Sequence, residues 1–60
     1  MIKIGKYFIN VNNISYIERI DYKEAYSLII HFVGGEVLEI ELLSMTEVAD
    51  AFERLGIDNA

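Results

Sequence analysis

The stretch SLIIHFVGGEVLEIEL, residues 27–42, decides the fold. Its second half alternates: Leu38, Ile40 and Leu42 fall on one side of an extended strand, Glu39 and Glu41 on the other. That two-residue period belongs to a sheet with one wet face. Its first half does not alternate, because Leu28, Ile29, Ile30, Phe32 and Val33 run almost unbroken around His31. The two halves meet as a hairpin at Gly34-Gly35, and loop length sets the register. A two-residue Gly-Gly loop opposes Ile30 to Glu39 and Leu28 to Glu41, which mixes the faces. A three-residue loop, Val33-Gly34-Gly35, opposes Phe32 to Glu36, Ile30 to Leu38, Leu28 to Ile40 and Tyr26 to Leu42. It puts Gly35 in the left-handed position of a bulged hairpin. This register leaves one face apolar beyond its mouth and is the expected one, since a one-residue slip inverts every side chain.

The preceding strand, ISYIERIDY (14–22), joins through Lys23-Glu24-Ala25. Pairing Tyr22 with Tyr26 sets Ile20 against Leu28, Glu18 against Ile30 and Tyr16 against Phe32, so Ile14, Tyr16, Ile20 and Tyr22 are expected in the core. Glu18 is the inconsistency in that scheme. A buried, unpaired carboxylate is costly and would be a candidate for chemistry. A bulge near Glu18-Arg19 that turns the side chain outward is the simpler expectation. Upstream, KYFIN reads as a short strand with Tyr7 and Ile9 on one side, and NVNN as a polar or single helical turn. MIKI can pair at an edge, with Gly5 bending the chain.

After the hairpin, Ser44 and Glu47 form a capping box, with Leu43 and Val48 as its hydrophobic staple. Met45, Val48, Ala49, Phe52 and Leu55 recur at helical spacing opposite Glu47, Asp50, Glu53 and Arg54. Gly56 stops the helix, with Ile57 placed for a Schellman ending against Phe52. The chain therefore predicts one α+β domain over residues 1–60: a small antiparallel β-meander of three to four strands, in one version a partly closed SH3-like barrel. One C-terminal α-helix, about 45–55, completes it.

Sixty residues give a small core, and at this size burial and chain entropy come out near balance without a staple. There is no cysteine and a single histidine, so disulfides and thiolate or structural zinc sites are not expected. Oligomerisation is the remaining staple, and 53% hydrophobic residues supply material for it. No apolar run reaches the length of a membrane span, and MIKIGKYF lacks a signal-peptide core; a cytoplasmic chain without membrane contact is expected. The net charge of −5 disfavours nucleic acid as a partner, because phosphate binding needs clustered Lys and Arg. The charge is uneven. Residues 1–35 carry four bases against three acids, and residues 36–60 carry seven acids against Arg54.

In the expected register the outer sheet face carries Ile17, Ile29, His31, Val33 and Val37 as one apolar patch. Arg19, Asp21, Ser27, Glu39 and Glu41 border it, the pattern of an interaction surface with a charged rim. A second copy, or the chain's own N-terminal strand closing a barrel, would cover it.

Chemistry finds little footing. His31 has only Ile17 and Val37 as expected neighbours, whereas a nucleophile–base pair needs a hydroxyl or thiol in reach. The expected reading is a plain histidine on a partly covered sheet face, which could also make an interface pH-sensitive. Glu36, Glu39 and Glu41 are spread along a strand whose alternate side chains stand ~7 Å apart, too far for chelation. Gly34-Gly35 lacks the following Lys and helix of a phosphate cradle. No catalytic residue, metal ligand or cofactor is expected. Tyr16, Tyr22, Tyr26 and Phe32, which could otherwise stack bases, are assigned to the core.

Ile2-Lys3, Gly5-Lys6-Tyr7-Phe8-Ile9-Asn10, Ile14, Ile17-Glu18, the Leu28–Phe32 strand, the Gly35 hairpin and a helix opened by Ser44 and Glu47-Val48 together resemble the short flagellar FlbD-type proteins. That family has Pro-Asp between its middle strands, where this chain has Asp21–Ala25. Part of the pattern also looks like the strands of LytTR DNA-binding domains, although this chain is shorter and more acidic. The resemblance implies a non-enzymatic regulatory or accessory protein and transfers no site residues. By class analogy, small acidic cysteine-free β proteins also occur among phage inhibitors of host systems.

The leading expectation is a small cytoplasmic, non-enzymatic binding module, a homo-oligomer through the outer sheet face or an edge strand, with a protein partner. The alternatives are an inhibitor or sequestering protein of phage type, holding a small ligand such as a nucleotide between subunits, and a nucleic-acid-binding regulator. Lys3, Lys6, Arg19 and Lys23 would face the phosphates in either.

Overall fold

The computed structural model describes residues 1–57. Five antiparallel strands form two sheets. A hairpin of β1 (Ile2–Ile4) and β2 (Tyr7–Ile9) is one, and β3 (Ile14–Asp21), β4 (Tyr26–Phe32) and β5 (Val37–Leu42), in that order, are the other. Helix α1 (Met45–Leu55) follows. The class is α+β with a meander and a C-terminal helix; there are five strands rather than three or four, and the sheets do not close into a barrel.

The β4–β5 hairpin has the three-residue loop. Tyr26 opposes Leu42, Leu28 opposes Ile40 and Ile30 opposes Leu38. Phe32 N–H donates to the Glu36 carbonyl (2.8 Å), and Gly35 N–H donates to the Phe32 carbonyl (3.1 Å). Gly34 and Gly35 both have positive φ, +104° and +97°, a region that a Cβ strongly disfavours. Leu28, Ile30, Ile40 and Leu42 are buried on the same face.

The β3–β4 pairing differs from expectation by one residue. Ile17 opposes Ile30, Arg19 opposes Leu28 and Asp21 opposes Tyr26. Tyr22 N–H donates to the Ala25 carbonyl (2.8 Å), which narrows the connection to a two-residue tip, Lys23-Glu24. The slip inverts the strand. Tyr16, Ile20 and Tyr22, expected in the core, are exposed, and Ile17, expected outside, packs against the core. Two features explain this. A bulge between Ile14 and Tyr16 inserts Ser15 as an unpaired extra residue, so Ile14 still packs on the core although its parity differs from that of Ile17. The slip also takes Glu18 off the covered face, where its desolvation would be unfavourable, and substitutes an isoleucine. The bulge lies three residues ahead of the Glu18-Arg19 position expected for it.

The N-terminal hairpin packs on the core face. Ile4 and Ile9 are buried in one cluster with Leu28, Ile30, Ile40, Leu42, Val48 and Ala51. A 3-10 turn, Val11–Asn13, is capped by the Asn10 side chain, and the Asn13 carbonyl accepts from Val33 N–H (2.7 Å), tying this segment to the β4–β5 loop.

Helix α1 starts at Ser44, whose hydroxyl accepts from Glu47 N–H (3.2 Å). The Glu47 carboxylate reaches back one residue further than in the standard box, to Leu43 N–H (2.7 Å). Gly56, at φ +75°, donates to the Glu53 carbonyl, and Ile57 N–H donates to the Phe52 carbonyl (2.9 Å), the Schellman pair. The buried stripe is Val48, Ala51, Phe52 and Leu55; Met45 and Ala49, expected to share it, face outward.

Candidate interaction surface

Helix and N-terminal hairpin both lie on one side of the three-stranded sheet, so its other side is open among the described residues. Strand pairing arranges that side in three rows across β3, β4 and β5: Tyr16–His31–Val37, Glu18–Ile29–Glu39 and Ile20–Ser27–Glu41. Side chains on the flanking strands shelter the centre. Ser27 is buried and Ile29 and His31 are half-buried, whereas Tyr16 (55%), Val37 (57%) and Val33 (70%) stand exposed, with Ile20 and Tyr22 beyond them.

His31 is held on this face by two side chains of β3. Its ring stacks on Tyr16, centroids 4.0 Å apart and planes 11° from parallel. Its Nε2 lies 2.6 Å from Glu18 Oε1. Tyr16 meets the imidazole through its ring face and Glu18 through an edge, which fixes the ring without presenting a nucleophile to it. The Glu18 carboxylate, the misfit in the expected core, thus has a partner and a half-wet setting.

Of the expected patch, the structure brings together Ile29, His31 and Val37, leaves Val33 exposed in the loop beyond β4, and sends Ile17 to the opposite face. Tyr16 and Ile20 join that face instead, and Tyr22 is exposed just beyond the end of β3. Sequence reasoning missed them because they followed the parity of β3, and the signal that could have found them was Glu18 itself, whose misplacement is cured by a one-residue slip.

Lys3, Lys6, Arg19 and Lys23, the four cations expected to face phosphates, fall on two hairpins of different sheets. Lys3 and Lys6 lie over the rings of Phe8 and Tyr7, at 5.8 and 5.5 Å from the centroids. Arg19 is held in a two-bond fork by Asp21 (3.0 and 3.1 Å), and Lys23 occupies the β3–β4 tip. An open cleft of about 510 Å³ separates the Gly5 turn from α1 and is lined by Lys3, Leu42, Glu47, Asp50 and Arg54 among others. Its charges are engaged: Arg54 donates to Asp50 (2.8 Å) and to the Lys3 carbonyl (3.4 Å), and Glu47 caps the helix. Among the described residues no three metal-ligating side chains converge, and no helix is long and apolar enough to cross a membrane.

No protein-family model, curated protein or solved structure matches this chain.

Proposed function

We propose that this chain is a small non-enzymatic binding module that associates with a second copy of itself through the open face of its three-stranded sheet. The observation that carries the reading is the exposure of Tyr16 and Val37 on either side of half-buried His31, with half-buried Ile29 in the next row, on the side that neither α1 nor the N-terminal hairpin covers. Two considerations favour a second copy. A domain of this size gains most from a partner's apolar surface. The face also carries no cation that would select an acidic partner: Arg19, expected at its rim, opposes Leu28 on the other side of β3, and of the two carboxylates that flank Ile29, Glu18 is bonded to His31. The resemblance to flagellar FlbD-type proteins supports the same class, an accessory or regulatory role.

Light scattering at micromolar concentration tests it: a mass of at least twice 6.9 kDa is expected, and a clean monomer refutes it. Ile29→Glu and Val37→Lys should both shift the assembly toward monomer. Val37 is exposed in the single chain, so its substitution leaves the fold intact and any loss of mass reports the interface.

Sequestration of a small anionic ligand is the second reading, favoured by the lysines of the Gly5 turn, of which Lys3 lines the cleft beside α1. Retention on a phosphate resin that falls with salt would support it; passage through the resin at low salt would remove it.

A further inference from the structure

The hydrogen-bond phase of the β4–β5 hairpin determines which backbone groups of β5 are satisfied. Phe32 N–H donates to the Glu36 carbonyl, so these two residues are a hydrogen-bonded pair, and in an antiparallel ladder such pairs recur at every second residue. Ile30–Leu38, Leu28–Ile40 and Tyr26–Leu42 are therefore the bonded pairs. The N–H and C=O groups of Val37, Glu39 and Glu41 point away from β4. Strand β5 is an outer strand of its sheet, and among the described residues no backbone group pairs with these three. The free stretch ends at Leu43, whose N–H donates to Glu47. Beside it an open cleft of about 390 Å³ separates residues 40–43 from the Gly5-Lys6-Tyr7 turn, so the N-terminal hairpin does not close on this strand. At the other edge of the sheet the Ser15 bulge interrupts β3, the kind of irregularity that blunts an edge.

We infer that the β5 edge takes an extended basic peptide as an added antiparallel strand, with lysine or arginine at the positions facing Glu39 and Glu41. An added strand binds by completing the ladder, and the side chains beside it set the choice of sequence. Val37, Glu39 and Glu41 are exposed on one face of the sheet, and the residues directly opposite them in an added strand lie on that same face. An opposite charge there is favourable and a like charge unfavourable. A second copy's β5 is therefore the wrong occupant, because full overlap of the two edges sets Glu39 against its own copy. Antiparallel addition is preferred to parallel because its pairing is the more stable per residue. Strand addition uses the edge of the sheet and is independent of self-association through its face.

Fluorescence anisotropy of a labelled, end-blocked peptide alternating valine and lysine is the test, with a valine–glutamate peptide as the control. The lysine peptide should bind and the glutamate peptide should not. Glu39→Lys together with Glu41→Lys, both at exposed positions, should reverse that preference. In antiparallel addition the lysines that face the acids are also the residues whose N–H groups bond to β5. Methylation of the lysine backbone nitrogens should therefore abolish binding, and methylation of the valine backbone nitrogens should leave it unchanged. Bound peptide should also slow hydrogen exchange at the Val37, Glu39 and Glu41 amides. Absence of binding overturns the inference, and so does binding that survives methylation of the lysine nitrogens, which would show attraction of charge without an added strand. Loss of binding on methylation of the valine nitrogens alone would overturn the antiparallel orientation.

Discussion

Glu18 Oε1 and His31 Nε2 meet at 2.6 Å across β3 and β4, and that contact exists only in one of the two possible parities of β3. It orients a stacked imidazole on the open face and removes a carboxylate from the core. The contact is half-wet, so its loss is expected to be mild. Glu18→Gln should cost under about 1 kcal/mol of stability, read by urea denaturation. If Glu18→Leu stabilised the chain by about 2 kcal/mol or more, as burial of a new leucine would, the assigned parity would be wrong.

The same parity separates two neighbours. Ile17→Ala should destabilise by roughly 1–3 kcal/mol, since it deletes side-chain atoms packed on the core. Tyr16→Ala removes an exposed ring and should cost no more than about 1 kcal/mol, chiefly the stacking on His31. Equal losses, or the reverse order, would contradict the register.

Ile30 has no exposed surface and sits between Ile17 and Leu38. Ile30→Ala should lose about 2–5 kcal/mol, most of the stability of a domain of this size if it lies at the low end of ~0.05–0.15 kcal/mol per residue, where small cores fall. Circular dichroism at room temperature would then show a largely unfolded chain.

Gly35 at φ +97° closes the hairpin that sets the register of β4 and β5. Nothing would obstruct a Cβ there, so Gly35→Ala tests backbone strain alone, with an expected cost of about 1–3 kcal/mol. A neutral result in thermal denaturation would show that the loop relaxes to another conformation.

Two chains of charge −5 repel each other, and the screening length is about 10 Å at 0.1 M salt. Self-association is therefore expected to tighten as salt rises, followed by sedimentation at increasing sodium chloride. Phosphate recognition would weaken instead, so the sign of the salt effect separates the two functional readings.

What could be read beforehand depended on how many signals agreed. For β4 and β5, alternation in Leu38–Leu42 and two glycines pointed to a single register, and that register is present. For α1, cap, period and stop coincided at Ser44, Val48 and Gly56, leaving an error only in the orientation of Ala49 and Met45. Strand β3 offered no such agreement. Its isoleucines stand at 14, 17 and 20, a spacing of three that neither parity of an extended strand can satisfy. The bulge that reconciles the first two falls on Ser15, which carries no glycine or other marker. That Ile29, His31 and Val37 share one sheet face was legible because the β4–β5 register was. Tyr16, Ile20 and Tyr22 were lost with β3. The N-terminal strands were legible as a pairing hairpin, but their docking side depends on shape complementarity with α1, which spacing does not encode.

The Ser15 bulge has a consequence for how this chain could vary over generations. Ile14 pairs with Phe32 and Tyr16 with His31, so Ser15 is the one residue of the three-stranded sheet that pairs with nothing. Loss of its codon would leave each remaining pair of β3 intact and straighten the strand. Loss of a neighbouring codon further along β3 would turn part of that strand inside out. A single in-frame deletion is thus tolerable at one point of the sheet, at the edge of the open face, and there it would alter only the curvature that a partner meets.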